Sequence, residues 1–293
     1  MNTICYYPGC GVADQARRME SAARASLAVL GWDMQEMERW NCCGTVYSLA
    51  SDDLMRHVGP ARVLARARHA GHDKLLTLCS MCYSTLKRSE LFLTEDAERL
   101  ERVNTYLDDE PDYEGGLHVV HMLEFLRDVI GYETVEAKVV RPLERLTVAP
   151  YYGCTLTRPR AAGIDDPERP TVMEDLLSAL GAEPVSTPQR IECCGSYLTA
   201  SAPDVARRRV VEIERAAAAR GADLIATSCP LCQYNLDTRL AEAGATVGQR
   251  VPSVYFTQLM ALALGEDPAL EEEQAIHPLP ALQARGLSVE VKA

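Results

Sequence analysis

The sequence predicts an α/β protein of two homologous βα-repeat halves, with mostly parallel sheets related by a pseudo-twofold axis. Three observations carry this. Four features recur in the same order in the two halves of the chain. Short apolar segments alternate with longer segments of helical periodicity, the pattern of βα units. The helical segments end at glycine, which takes the left-handed C-terminal cap at little cost. At 293 residues the chain has the length of about two domains.

Each element follows from local pattern. Residues 4–7 are short and apolar and lead into Gly9-Cys10, so they read as a strand with a cysteine beyond its end. Residues 14–30 have apolar positions at helical spacing and stop at Gly31. Residues 52–70 do the same before Gly71. Residues 74–78 form a strand running into Cys79-Ser80-Met81-Cys82, with a helix expected over 84–93. Residues 95–115 are acidic, contain Pro111 and Gly115-Gly116, and read as a surface connection. The second half repeats the plan: strand 146–151, helix 171–180, helix 204–220, strand 223–227 and helix 233–243. The halves are assigned to 1–135 and 136–265, and residues 266–293 form an acidic tail. That tail is either loosely ordered or partner-binding.

Composition excludes several functions. The chain is 47% hydrophobic and 25% charged, as in ordinary soluble domains. Its net charge of −12 argues against nucleic acid or an anionic membrane surface as main partner. Aromatics at 6% leave little for stacking on bases. The start, MNTICYYPGC, has no basic and apolar signal pattern, and no apolar run is long enough to span a bilayer. A cytoplasmic protein with no membrane span is expected.

Eleven cysteines are the unusual feature. Such density in a large chain without an export signal points to metal or redox chemistry rather than disulfides. Ten of them fall in the repeat. Tyr7-Pro8-Gly9-Cys10 corresponds to Tyr151-Tyr152-Gly153-Cys154. Asn41-Cys42-Cys43-Gly44 corresponds to Glu192-Cys193-Cys194-Gly195, and Cys79-x-x-Cys82 to Cys229-x-x-Cys232. The offsets are 144, 151 and 150 residues. A fourth feature pairs Val119-Val120-His121 with Ser253-Val254-Tyr255. Because ligands collect at the C-terminal ends of parallel strands, these distant cysteines should converge.

Each half thus offers five thiols. A tetrahedral zinc or a cubane iron–sulfur cluster takes four. Adjacent cysteines diverge along the backbone and suit a larger cluster than a single ion. Soft thiolates without matching His or Asp favour iron–sulfur. Gly44 and Gly195 let the backbone approach the sulfurs. Cys5 has no repeated counterpart and reads as a buried strand residue. His121 is placed in an apolar helical stretch and reads as a core histidine. Lys87, Arg88, Arg158 and Arg160 read as solvated positions near the cysteines, and Trp32 and Trp40 as packing residues.

The doubled C…C-C-G…C-x-x-C pattern resembles the cysteine-rich CCG domain. Two copies in a chain of this size resemble the B subunit of heterodisulfide reductase, over nearly the whole chain. The resemblance implies a CCG domain in each half, each binding a non-cubane [4Fe–4S] cluster. It implies one cluster on Cys10, Cys42, Cys43, Cys79 and Cys82, and one on Cys154, Cys193, Cys194, Cys229 and Cys232. It further implies reduction or formation of a disulfide at these clusters, with no amino-acid nucleophile. Electrons would come from a ferredoxin-like iron–sulfur C subunit and a flavin-containing A subunit, in a complex of the electron-bifurcating kind. An apolar patch is expected where the C subunit docks. No G-x-G-x-x-G follows a strand, so no flavin or NAD is expected on this chain. Two other readings stay open: a CCG electron-transfer subunit of a lactate, glycerol-3-phosphate or succinate dehydrogenase-like complex, and a zinc-stabilised interaction module.

Overall fold

The structure is a computed structural model and describes residues 1–45, 53–244, 250–270 and 274–287. In the first half, β1 (Asn2–Tyr7) is followed by α1 (Gly9–Ala13), α2 (Arg17–Val29), β2 (Trp32–Glu36) and α3 (Met55–His69). Then come β3 (Lys74–Thr77), α4 (Ser80–Thr94), α5 (Ala97–Asn104), β4 (His118–His121), α6 (Met122–Phe125) and α7 (Tyr132–Glu136). The expected helix over 52–70 is α3; its expected start at Asp52 lies outside the described residues. The second half runs β5 (Thr147–Tyr151), α8 (Val172–Ala179), β6 (Glu183–Pro184), α9 (Pro203–Ala219), β7 (Leu224–Thr227) and α10 (Pro230–Tyr234). It ends with α11 (Leu240–Glu242), β8 (Ser253–Tyr255) and α12 (Phe256–Ala263); α13 (Leu279–Ala284) belongs to the tail.

Each half holds a four-stranded sheet, ordered β2-β1-β3-β4 and β6-β5-β7-β8, and every pairing is parallel. Parallel sheets need cover on both faces, which is why the inner strands are buried runs such as Leu224-Ile225-Ala226-Thr227. The chain leaves β1 for one side of the sheet and returns for β3 on the other. The crevice between the ends of β1 and β3 is therefore the switch point where such sheets place ligands. The same holds for β5 and β7.

The halves pack reciprocally. Helix α12 of the second half lies on α2, where Thr257 Oγ1 donates to Met19 O at 3.0 Å. Helix α6 of the first half lies on α8 of the second. Pro230 of α10 meets Gly11 of α1, while Thr155 Oγ1 reaches Met81 Sδ of α4 at 3.5 Å. These exchanges are those of a pseudo-twofold axis, as the repeat implied.

Several details differ from the sequence reading. The helices after both C-x-x-C motifs start inside the motif, at Ser80 and Pro230. Propensity does not reveal this, because serine and proline are themselves good first residues. Strand β2 and the two-residue β6 carry no clear alternation, so the sequence pattern does not mark them as strands. The acidic connection 95–115 contains α5 and buries Val103, Leu107 and Tyr113.

His121 is not helical. It ends β4 and caps α6, with Nδ1 accepting from Leu123 N at 3.2 Å and Nε2 donating to Leu78 O at 2.9 Å. Burial pushes its imidazole down from 6.5 to about 4, and His57 likewise to about 4. The unfolded chain protonates these rings near 6.5 while the folded one keeps them neutral. Stability is therefore full above that pH and falls as pH drops toward 4, by about 2 kcal/mol per ring at pH 5. His121→Asn keeps a capping oxygen. It is expected to remove about half of this acid loss when urea unfolding at pH 7 and pH 5 is compared.

The tail is docked on the second half where it is described. Leu270, Leu279, Leu282 and Leu287 are buried. The Asp237 carboxylate, itself buried, accepts from Ala275 N at 2.9 Å and Ile276 N at 2.8 Å. Arg285 pairs with Asp223 at 2.8 Å. Asp237→Ala would leave two amides without a partner, at a cost of about 1–3 kcal/mol. We expect limited proteolysis to clip the tail of this variant first; unchanged protection would contradict the docking role.

Candidate metal centre

The cysteines gather at the two switch points. Tyr7 closes β1, and the turn Pro8-Gly9 carries Cys10 into α1. β3 delivers Cys79 as the residue capping α4, so Cys82 sits in that helix's first turn. The loop after β2 brings Cys42 and Cys43 to the same place, with Cys43 Sγ 3.5 Å from Cys82 Sγ. In the second half Cys194 Sγ lies 3.6 Å from Cys232 Sγ.

Neighbouring thiols interact in a run, with sulfur–sulfur distances of 3.5 Å at Cys43–Cys82 and 3.6 Å at Cys194–Cys232. It passes from Cys42 to Cys43, Cys82 and Cys79, crosses to Cys229, and continues through Cys232, Cys194 and Cys193 to Cys154. Cys79 and Cys229 are equivalent in the repeat, so their contact lies on the pseudo-twofold axis. Ser80 fastens this point, its Oγ donating to Ser228 O at 2.9 Å and its amide to the same oxygen at 3.1 Å. Cys10 acts on Cys42 from nearby, and both are exposed. Cys154 and Cys193 are half-buried, and the six central cysteines are buried. Among the described residues no three His, Cys, Asp or Glu side chains gather as one metal ion would require.

Crowding sets their protonation. Neighbouring Cys42 and Cys82 hold the Cys43 thiol down, and Cys154 and Cys194 hold the Cys193 thiol down. Cys42, Cys79, Cys82, Cys154 and Cys232 are pushed up, because each is a donor to a neighbouring thiolate. Without a cation, neighbouring thiols cannot all ionise. A bound metal would supply that charge and release the protons.

Glycines make room for the sulfurs. Gly9 and Gly153 both have φ of +69°, and a Cβ there would lie 2.8 Å from Cys82 Sγ and 3.2 Å from Cys232 Sγ. Gly44 N approaches Cys42 Sγ at 3.5 Å and Gly195 N approaches Cys193 Sγ at 3.3 Å. Two residues that the sequence reading did not single out brace the pairs. Tyr7 OH donates to Asn41 O at 2.8 Å, and Tyr151 OH to Glu192 O at 2.6 Å. Their signal was present: both tyrosines share the 144-residue offset of Cys10 and Cys154.

The remaining sequence candidates separate clearly. Cys5 lies within β1, where burial pushes its thiol up to about 11, in keeping with a core residue. Trp40 packs edge-on to Tyr7 and Trp32 to Phe125. Lys87 and Arg158 are tied into the structure, while Arg160 is exposed, as the solvated reading expected. Lys87 pairs at 2.9 Å with the buried Glu90, Arg158 bonds Ile191 O at 3.0 Å and Pro167 O at 3.1 Å, and Arg160 pairs with Asp166 at 3.4 Å. Arg88 is exposed.

Residues 4–87 and 148–237 each match the family model of the CCG cysteine-rich domain, together more than half of the chain. The chain belongs to the CCG family. Several relatives aligned over most of its length are named as the B subunit of heterodisulfide reductase. One, named as a protein like that subunit, from Archaeoglobus profundus, is 30% identical over 89% of this chain and 90% of its own length. The B subunit of a ferredoxin/F420H2-dependent CoB-CoM heterodisulfide reductase of Methanosarcina acetivorans is 28% identical over 92% of this chain and 91% of its own. A protein of Wolinella succinogenes named 8-methylmenaquinol:fumarate reductase membrane anchor subunit is 34% identical, over 89% of this chain and 92% of its own. A solved Helicobacter pylori protein has the same fold, with a TM-score of 0.75 and 13% identity over 94% of this chain and 52% of that one. Membership of this CCG lineage makes the chain an oxidoreductase subunit that works in a complex. Among the described residues no helix is long and apolar enough to cross a membrane.

Proposed function

We propose that this chain is the disulfide-active subunit of a heterodisulfide reductase-like complex. Each half holds one non-cubane [4Fe–4S] cluster, on Cys10, Cys42, Cys43, Cys79 and Cys82, and on Cys154, Cys193, Cys194, Cys229 and Cys232. The observation that carries this reading is the run of thiols meeting at Cys79 and Cys229. The donor set fits the group: thiolate ligands, repeated in kind and order, with glycines where the sulfurs need space. When bound, such clusters supply electrons and an iron to which sulfur can bind.

The reaction is a two-electron one. A disulfide accepts two electrons, its S–S bond breaks, and each sulfur departs as a thiolate that takes a proton from water. The reverse forms the disulfide. The chain's own residues position and shield. Cys79, Cys229 and the Ser80–Ser228 clasp exclude water between the halves. The exposed Cys10 and Cys42 leave the first centre approachable.

Electrons enter from partner subunits, an iron–sulfur C subunit and through it a flavin-containing A subunit. Exposed Tyr197 and Leu198 follow Cys194, and exposed Leu231 and Tyr234 flank Cys232. This apolar rim at the second centre supports docking of the C subunit there. Its first-half counterparts to Leu231 and Tyr234, Met81 and Ser84, are buried.

A second reading has its own support in the 34% identity to the Wolinella succinogenes protein. There the chain passes electrons between a quinol and a fumarate-reducing partner without acting on a disulfide. Anaerobic protein supplied with reduced viologen separates the two. We expect mixed disulfides to oxidise two viologens each. If no disulfide oxidises viologen while a menaquinol analogue reduces the protein, the second reading replaces the first.

A further inference from the structure

The second cysteine pair has a side-chain hydrogen-bond donor that its neighbours hold in one orientation. Asn235 follows Cys232 by three residues and is fully buried. Between α10 and α11 the helix widens to π pitch over Asn235–Arg239, a feature that often marks functional positions. The Asn235 amide faces the loop that carries Cys193 and Cys194. Its Nδ2 lies 3.0 Å from Cys194 O and 3.6 Å from Cys194 Sγ. A carbonyl oxygen can only accept, so the group facing it is the NH2. One of its two hydrogens is left for the sulfur.

Three more side chains fix the other end of that amide. Thr199 Oγ1 donates to Asn235 Oδ1 at 2.9 Å. It has to donate there, because Arg239 Nε, which can only donate, reaches the same hydroxyl at 3.1 Å. Arg239 also bonds Thr199 O at 3.2 Å, and both oxygens of Glu242 grip it at 2.6 and 2.9 Å. Each role along Glu242, Arg239, Thr199 and Asn235 is thus set by groups that can act in one sense only. An amide held in this way turns N–H, not oxygen, toward the sulfur.

The fold does not demand this arrangement. The first-half counterpart of Asn235 is Thr85, three residues after Cys82. Thr85 reaches the Cys43 sulfur as well, but its hydroxyl has a single hydrogen, which Met81 O takes at 2.8 Å. The steady donor to Cys43 is the backbone amide of Thr45. A backbone donor comes with the loop itself. Asn235 is a side chain, and it serves the second centre only.

We infer that Asn235 tunes the second centre: its N–H raises the reduction potential of a cluster held on Cys194, and Thr199 and Arg239 keep it aimed. The reason is electrostatic. An added electron puts more negative charge on the sulfurs, so a donor stabilises the reduced form more than the oxidised one. Cys194 and Asn235 are both buried, and away from water such a bond is stronger. Asn235 acts through the thiolate that it bonds and is not itself a ligand. The inference rests on the proposed clusters and goes beyond them in assigning the control of one potential to one side chain.

Redox titration of the anaerobically purified full chain, followed by electron paramagnetic resonance with iron measured on each sample, tests this. In Asn235→Leu we expect half of the cluster signal to titrate at lower potential, its reduction equilibrium moved about tenfold, or ~59 mV for one electron. The other half and the iron content should not move. Thr199→Val releases the amide without altering the helix and should shift the same half in the same direction. Thr199→Ser keeps the hydroxyl and should keep the wild-type potential. Wild-type potentials in both Asn235→Leu and Thr199→Val at full iron, or an equal shift of both halves, overturn the inference and leave the cluster reading standing. If Asn235→Leu loses iron, Thr199→Val decides alone. A wild-type chain without iron refutes the cluster reading and this tuning with it.

Discussion

Cys43→Ala is expected to lower iron from about eight to about four atoms per chain, and Cys194→Ala to do the same from the other half. The reasoning is local. Cys43 touches Cys42 and Cys82, both in its own half, and Cys194 touches Cys193 and Cys232 in its own. The only crossing of the run is at Cys79 and Cys229, which neither substitution alters. Disulfide turnover should fall to background in both variants, since one centre cannot deliver both electrons. Iron analysis and the absorption spectrum of each variant check this. Full iron in either variant would break the assignment of ligands, and complete loss in both would mean that the halves load as one unit.

Gly9→Ala is expected to damage both the fold and the first centre. Its φ of +69° costs an L residue about 1–2 kcal/mol. The new Cβ would also stand 2.8 Å from Cys82 Sγ, a sulfur held by its contacts with Cys43 and Cys79. Room cannot be made without moving a thiol of the first centre. We expect lost stability together with loss of the first half's iron. Gly153→Ala has the same φ but a contact of 3.2 Å, so a milder effect follows. Gly71→Ala is the control. Its φ is +87° with nothing within 4 Å of the added carbon, so stability alone should fall and iron should stay. Equal iron in the Gly9 and Gly71 variants would contradict the close approach of Gly9 to the sulfur.

Much of the architecture was legible in the sequence because the chain states its plan twice. The offsets of 144, 151 and 150 residues align Cys10, Cys42-Cys43 and Cys79-x-x-Cys82 with their partners, and glycines mark the helix ends. Together these place the thiols at strand ends from pattern alone. What was hidden lies where pattern is weak or contacts are tertiary. Strand β2 is mostly exposed, with only Met34 buried, so it lacks the alternation that marks a strand. His121 sits where a strand passes directly into a helix, and its apolar neighbours fit either period. His57 has no repeated counterpart. Its meaning comes from Ser89 and Phe92 on another helix, a relation that sequence spacing does not encode. The tail's docking depends on Asp237, far from residues 275 and 276 along the chain.

The most direct test of the central claim is iron and acid-labile sulfide per chain in anaerobically purified protein, with zinc measured in the same sample. Two clusters on ten thiolates predict about eight irons and about eight sulfides, with no stoichiometric zinc. About one or two zincs with no iron would contradict the redox account and leave a metal-stapled interaction protein.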